Sequence, residues 1–454
     1  MAQAALAQGS FYREVEKDGR IYVFNNQKQF MDWEKSGEVG VAITLLGYGP
    51  NGETMVFDSE EAIHLYNFKH NRPGDPRPQP TPSPRPTVAW SNGTTTLNFP
   101  GVAQVKISNR VQVRYTHELP DDSVTLPGTG GAGESKGSFR IRRAKFKTDG
   151  WFYQPWLLFE VQLNWPAAAG SNVGAFLEDA NINWDLTRGD RTFMIKFGQY
   201  KAPIGHQELT SSGSQQLVDR ALVSNIYALG RDTGLQLWGR LWGDHVEWRA
   251  AMFNGNGLTR TLNDNDQFQY NVRVMFQPNA QIPLAQGLGN SGPLFAEGDF
   301  ESTDKPIYAV AVNYERKNFH GATTGIDLKD DVWGFDGFFK FKGLYATAEY
   351  YMRERTPEPP ATGGPAVKFD SDGWFAQAGY MLGARRQWEI AGRYGSFDPS
   401  ALVTANDQNE WRVGASYYYR RHGLKIQADF GELEVGGTTT TNNQEFRLQT
   451  QFIF

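Results

Sequence analysis

The sequence predicts an all-β transmembrane barrel of about 16 antiparallel strands with a small N-terminal α+β module, a ββα repeat. Three observations carry that prediction. Segments of alternating apolar and polar residues recur from Val102 to the C-terminus. The connections between them alternate between tight turns and long loops. The last strand places Phe446, Leu448, Thr450, Phe452 and Phe454 on one face, an alternating pattern closed by an aromatic residue.

Composition narrows the alternatives. A chain of 454 residues could hold two or three ordinary domains, or one large barrel with an appendage. No apolar run approaches the roughly 18 residues that a spanning helix needs, so the barrel is the membrane form left open. Aromatic residues reach 14% and glycines number 49, a mix that suits a bacterial outer-membrane barrel whose strands bury one face each. Cysteine is absent, which excludes a disulfide framework and a Cys-ligated metal. The net charge of -5 argues against a nucleic-acid partner.

Residues 1–10 have neither a basic nor an apolar targeting region but carry Ala-x-Ala patterns, and are read as an export remnant. Residues 11–71 form a soluble module in which Gly19 to Asn25 and Gly52 to Asp58 share the spacing glycine, Val-Phe, helix cap. Asn25 and Asp58 are the expected caps, with Phe30, Trp33, Ile63 and Tyr66 as the buried stripe of the two helices. Residues 72–101 open on a proline-rich run and are expected to be an extended linker.

The barrel is assigned to residues 102–454, with strands beginning near Val102, Phe139, Trp151, Ala175, Arg191, Asp232, His245, Gln267, Pro306, Asp330, Gly343, Asp372, Arg386, Gln408, Gly423 and Asn443. Tight turns are expected at 148–150, 187–190, 243–244, 342–343, 383–384 and 421–423. The stretch 277–305 falls where a tight turn belongs and is long instead. Trp151, Trp165, Trp184, Trp333, Trp388, Trp411 and the run Tyr417, Tyr418, Tyr419 are expected in interfacial girdles.

Four motifs carry a family likeness: Phe139 to Lys145 (FRIRRAK), Gly198 to Pro203 (GQYKAP), Gly230 to Gly234 (GRDTG) and Phe253 to Gly255 (FNG). Together they resemble the phosphate-selective porin O and P family over residues 102–454, with the N-terminal module outside the likeness. The resemblance implies a homotrimeric outer-membrane porin, a water-filled channel for passive diffusion of small solutes, with anions such as phosphate or polyphosphate as the expected class. It implies a third external loop folded inward with cationic side chains lining an anion path. No phosphate-cradling loop, paired-carboxylate motif or metal-ligand spacing stands out, so no cofactor, metal or catalytic residue is expected. Its expected partners are outer-membrane lipid and lipopolysaccharide, and the barrel assembly machinery, which would read Phe452 and Phe454. The N-terminal module and the C-terminus would be periplasmic. A different reading keeps the barrel but makes it an envelope-structural element, its module 11–71 tethering a periplasmic or cell-wall partner.

Alternation predicts which side chains face the lumen. On the first strand Lys106, Ser108, Arg110, Gln112 and Arg114 face inward at steps of about 7 Å, a ladder whose basic members are Lys106, Arg110 and Arg114. Arg143 and Lys145 join it from the second strand, although the adjacent Arg142 and Arg143 are not expected to share a face. The same parity puts Arg240, Arg249, Arg273, Lys340, Arg393, Arg412 and Arg447 inside, interleaved with Glu160, Asp179, Asp185, Asp232, Glu247, Asp336, Glu349, Glu389 and Asp429. Two readings stay open, an anion path along the ladder or a solvated salt-bridge network without selectivity. The inward loop, 203–230, is bounded by Arg231 and holds Glu208, Asp219 and Arg220, a mixed set for a phosphate filter. Its apolar run 217–229 suggests packing against the wall.

Overall fold

The computed structural model describes residues 11–72, 85–120, 135–165, 177–228, 230–258, 262–263, 265–278, 293–320, 327–358, 367–437 and 440–454. They belong to two compact units, Met1–Pro84 and Arg85–Phe454.

In the first unit β1 (Arg13–Lys17), β2 (Arg20–Phe24), α1 (Gln27–Ser36), β3 (Ile43–Leu45), β4 (Thr54–Phe57) and α2 (Glu60–Lys69) follow in order. The sheet runs β1-β2-β4-β3, and β2 lies parallel to β4 with Tyr22 opposite Val56 and Val23 opposite Phe57. The duplicated Val-Phe pairs therefore sit side by side at the centre. Val23, Met55 and Phe57 pack with Ala62, Ile63 and Tyr66 of α2. The helix caps fall one residue later than expected, on Asn26 and Ser59. Asp58 instead ties the two repeats together, its Oδ2 accepting the amides of Asn25 at 3.0 Å and Asn26 at 2.9 Å.

The second unit begins with β5 (Thr87–Ser91), β6 (Thr94–Phe99), β7 (Ala103–Pro120), β8 (Lys136–Phe152), β9 (Leu157–Asn164) and β10 (Leu177–Asp185). It continues with β11 (Met194–Lys201), β12 (Arg231–Leu241), β13 (Val246–Phe253), β14 (Gln269–Phe276), β15 (Ile307–His320) and β16 (Asp327–Phe341). The last strands are β17 (Leu344–Glu358), β18 (Phe369–Leu382), β19 (Trp388–Asp398), β20 (Gln408–Arg420), β21 (Leu424–Val435) and β22 (Thr441–Ile453). Strands β7 to β22 pair antiparallel with their neighbours, and β22 closes on β7 with Phe452 opposite Val111. The result is a closed sixteen-stranded barrel.

Closure leaves no unpaired edge in the wall, which is what a lipid environment requires of strands. The two faces differ as alternation demands. On β14, Tyr270, Val272, Val274 and Phe276 are exposed while Gln269, Asn271, Arg273 and Met275 are buried. Tyr417 and Tyr419 follow the outward parity, but Tyr418 between them turns inward and is 2% exposed, so it is not a girdle residue. The tight turns carry positive φ at Gly243 and Asp244, Lys342 and Gly343, Gly383 and Arg421. The turn expected at 148–150 lies later, at 153–156, because β8 runs on to Phe152 and Tyr153 takes the left-handed conformation.

Part of the expected linker is structured. Residues 87–99 form a hairpin whose strand β6 pairs with β7 from Ala103 to Ser108. Its turn is Asn92-Gly93, both at positive φ, the pair that a type I′ hairpin favours. A side chain at position 93 would collide with the carbonyl of Ile453 at 2.5 Å, so the turn abuts the C-terminal strand. With 18 residues, β7 is long enough to pair first with β6 and then, from Arg110, with β22.

In β8 the register slips between Gln112 and Val113 of its partner: Gln112 faces Arg143 and Val113 faces Ile141. Arg142 is the extra residue of a β-bulge. Deleting Arg142 removes the bulge without changing which residues on either side face inward. That variant should still assemble, giving the heat-modifiable band of a folded barrel on an SDS gel, whereas deleting Ala144 shifts the parity of half the strand and should abolish the band.

Candidate functional site

The connection between β11 and β12 turns into the barrel. Within it α3 (His206–Leu209) and α4 (Leu222–Tyr227) are two short helical turns. Ile204, Ala221, Val223 and Tyr227 pack on Val332, Tyr351, Phe375 and Phe397 of the wall. Leu209 packs on Met275, Ala309, Phe338 and Tyr345. Fully burying one such apolar side chain is worth roughly 1.5–3 kcal/mol, so this contact alone holds the loop firmly. Gly205 marks its entry at φ +70, where a Cβ would lie 2.2 Å from the Tyr351 hydroxyl.

Polar contacts complete the docking. The Asp429 carboxylate accepts the Val218 amide at 2.9 Å, and Glu410 accepts the Leu222 amide at 2.9 Å. Asp219 is the centre of a cationic ring: Arg114 Nη1 donates to Oδ2 at 2.6 Å, Arg143 Nη2 lies 3.4 Å from Oδ1, and Arg142 and Arg447 approach to 3.8 Å each. The bulge in β8 is what lets the adjacent Arg142 and Arg143 reach one carboxylate, contrary to the simple alternation of a regular strand. Burial pushes the Asp219 carboxyl up, but Arg114, Arg142, Arg143 and Arg447 outweigh it and hold it well below the usual carboxylate range.

Packed in this way, the loop leaves open space against β7 to β11. A cavity of about 200 Å³ lies there, large enough for several waters or one small anion. Arg110, Arg142, Arg143, Lys145, Lys147, Lys196, Lys201, Arg220 and Arg231 line it, nine cations against the three carboxylates Glu160, Glu178 and Asp179. Most of these cations are paired or tied to the loop. Lys145 and Arg231 share Glu178, Arg231 also binds Asp179 at 2.9 Å, and Lys147 binds Glu160 at 2.8 Å. Arg220 reaches the loop carbonyls of Gln207 and Thr210 at 3.0 Å each, and Lys201 donates to that of Thr210 at 3.2 Å. Arg110 and Lys196 differ. Arg110 donates to the hydroxyls of Ser211 at 2.9 Å and Ser212 at 3.2 Å, and Lys196 sits over the Tyr200 ring at 4.4 Å. Among the described residues neither has a carboxylate at ion-pair distance.

Of the residues expected in the lumen, Arg110, Arg143 and Lys145 reach this cavity, as do the loop residue Arg220 and Arg231 at its end. Arg114 is buried behind Asp219 and positions the loop. Lys106 lies opposite Thr96 and Asp149 at the short-turn end of β7, and is not in the cavity lining. Glu208 is held between Arg220 at 3.2 Å and Lys201 at 3.6 Å.

The remaining basic residues enter ion pairs elsewhere on the wall: Arg273 with Asp336, Arg393 with Glu410 at 2.8 Å, and Arg412 and Arg447 with Asp429 at 3.2 and 2.7 Å. Arg240 lies 3.9 Å and Arg249 2.6 Å from Glu247. Phe452 and Phe454 stack at 5.0 Å at the outer C-terminal edge. The sequence analysis singles out none of Lys196, Lys147, Lys201, Glu178, Ser211 and Ser212 as lumen residues. The outward Phe193, Ile195 and Phe197 fix the parity that sends Lys196 inward. What no pattern reveals is where the loop stops short of the wall.

A closed barrel with an apolar outer face, a polar inner face and a loop folded into it is the architecture of bacterial outer-membrane channels. The chain belongs to a known family of such channels, described as phosphate-selective porin O and P, whose sequence model matches residues 113–454. An uncharacterized protein of Aquifex aeolicus (strain VF5) is 23% identical over 288 residues, covering 58% of this chain and 64% of the relative's length. The chain thus spans a little under two thirds of that relative. Among solved structures, the outer membrane channel DcaP of Acinetobacter baumannii superposes with a TM-score of 0.55 at 9% identity, covering 79% of this chain and 99% of that one. An anion-selective porin from Comamonas acidovorans gives 0.52 at 10% identity, with 78% and 100% covered. At such identities these two likenesses speak to the fold.

The docking of the loop can be tested at its anchor. Asp219→Ala leaves four guanidiniums around an empty centre, and breaking a buried pair of this kind costs on the order of 3 kcal/mol. The unfolding midpoint of the detergent-solubilised barrel should fall accordingly.

Stability should also depend on pH through the loop's histidine. His206 stacks between Phe295 and Phe338, with ring centroids at 5.4 and 4.7 Å, and burial pushes its imidazole down to about 3. A group whose folded pKa lies below its unfolded value of about 6.5 binds protons preferentially in the unfolded chain, so stability is lost as pH falls below about 6.5. His422, in a turn, is also held down by burial and adds to the same trend. His206→Phe should therefore flatten part of the stability loss between about pH 6.5 and 3, measured by denaturant titration.

Proposed function

We propose that the channel prefers anions and that phosphate or its oligomers are natural solutes, with Arg110 and Lys196 as the cations a permeating anion meets. The single observation carrying this reading is the cavity beside the loop, where cations outnumber carboxylates and two of them keep their charge free of an acidic partner. An anion entering a constriction sheds part of its hydration, and a guanidinium or ammonium that is not already neutralised replaces those contacts. Arg110 is aimed by Ser211 and Ser212, whose hydroxyls add donors to the same space. The paired cations around them keep the local potential positive without binding so tightly that release is prevented. The family name supports phosphate as the solute class.

In this reading the short-turn end and the C-terminus face the periplasm, the long loops face outward, and three copies assemble. The N-terminal module is then periplasmic.

The test is planar-bilayer recording. Phosphate added to a chloride solution should reduce chloride current in the wild type. In Arg110→Ala with Lys196→Ala the anion-to-cation permeability ratio should fall by about threefold or more, since both cations without a carboxylate partner are gone. Lys106→Ala should leave the ratio unchanged. Equal ratios in the wild type and the double variant would contradict the assignment.

A further inference from the structure

The described end of the connection between β14 and β15 also enters the barrel. Residues 293–301 lie inside the wall at the short-turn end, beneath the inward loop. Leu294 and Phe295 are buried against Met275, Ala309, Phe338 and Tyr345, in the cluster that also receives Leu209 of the loop. The backbone is fixed from the wall: Lys340 Nζ donates to the carbonyls of Ala296 at 2.6 Å and Gly298 at 3.1 Å, and the His422 ring meets the Glu297 carbonyl at 2.8 Å. Asp299 accepts the Gly343 amide at 2.7 Å, and Phe300 meets Tyr418 edge-on at 4.8 Å.

Besides these apolar contacts, one carboxylate of this segment binds the loop. Glu297 is 0% exposed. Its Oε2 accepts the Gln216 amide at 2.7 Å and the Gln377 side chain at 2.9 Å, and its Oε1 accepts the Gln207 side chain at 3.2 Å. Its own amide donates to the Ser214 carbonyl at 2.8 Å. Gln207, Ser214 and Gln216 all belong to the inward loop, so a single residue from a separate connection touches the loop at three places. An ionised carboxylate is an acceptor only, and three well-placed donors satisfy it where water is excluded. Removing it strands those donors, each at the cost of an unmade buried hydrogen bond.

We infer that residues 293–301 form an internal strut and that Glu297 is a positioning residue that holds the constriction loop against the β16 to β20 wall, thereby setting the width of the passage on the β7 side. The inference rests on the reading of the chain as a diffusion channel, but not on its preference for anions. The strut also fills the half of the lumen where Glu349 and Glu389 lie: Glu389 Oε1 accepts from Gln216, and Glu349 Oε1 accepts the Gln207 amide, each a contact to the loop that the strut supports. Loosening the loop would therefore both widen the channel and expose carboxylates to it.

Glu297→Ala should raise single-channel conductance by about twofold or more and add open-channel noise, because the conductance of a narrow pore follows the open area at its constriction. Glu297→Gln, which keeps one acceptor oxygen for Gln216 and Gln377 but turns an amide group toward the Gln207 side chain, should recover part of the wild-type value. A folded, heat-modifiable Glu297→Ala barrel with wild-type conductance and noise would overturn the inference, whatever the channel's ion preference proves to be.

Discussion

The structure depends on one carboxylate from the inward loop meeting a ring of guanidiniums from the wall. Asp219 joins β7, β8 and β22 through Arg114, Arg142, Arg143 and Arg447. These are the strands where the barrel closes, so the contact ties the loop to the seam as well as to the wall. Four cations around a single acid would repel one another without it, and their convergence needs the bulge at Arg142. Because the loop is anchored here and packed against β16 to β19, its remaining edge defines the passage.

Charge is sorted by that geometry. Across the whole lumen acids and bases interleave almost evenly, and a wall of that kind has no reason to select. The loop and the strut bury one half of it. Asp336, Glu349, Glu389, Glu410 and Asp429 are taken up by arginines, loop amides and side-chain donors on that side. The half left open holds Arg110 and Lys196 beside a set of paired cations. Both readings left open by the sequence thus have a place: a salt-bridge network on the β12 to β22 wall, and a cation-rich space beside β7 to β11, which is where the proposed anion path runs.

Much of the barrel could be read in advance because each strand buries one face and one face only. Apart from the start near Trp151 and the turn at 148–150, which β8 runs through, the strand starts and tight turns follow from period-2 alternation and turn chemistry, as does the inward parity of Arg110, Arg143, Lys145, Arg273 and Arg412. The family motifs add to this for structural reasons. Asp232 of the GRDTG stretch accepts the Gly255 amide of the FNG stretch at 2.6 Å, so two motifs far apart in sequence hold one loop base together. What alternation misses is the exception to it. The Asn92-Gly93 hairpin was legible from its turn pair but overshadowed by the prolines before it. The bulge at Arg142 leaves no periodic trace. The strut was visible as an oddly long connection, yet nothing in residues 293–301 says that Glu297 will meet Gln207 and Gln216, because that contact depends on two connections docking independently on the same wall. The caps of the N-terminal helices moved by one residue because Asp58 serves the neighbouring repeat.

If the open half of the lumen is electropositive enough to favour anions, the wild-type channel must show it without any substitution. The most direct measurement is its zero-current potential in a planar bilayer under a potassium chloride gradient. The expected potential has the sign set by chloride and falls in magnitude as total salt is raised and charge is screened. A potential of the sign set by potassium would contradict an anion-preferring lumen.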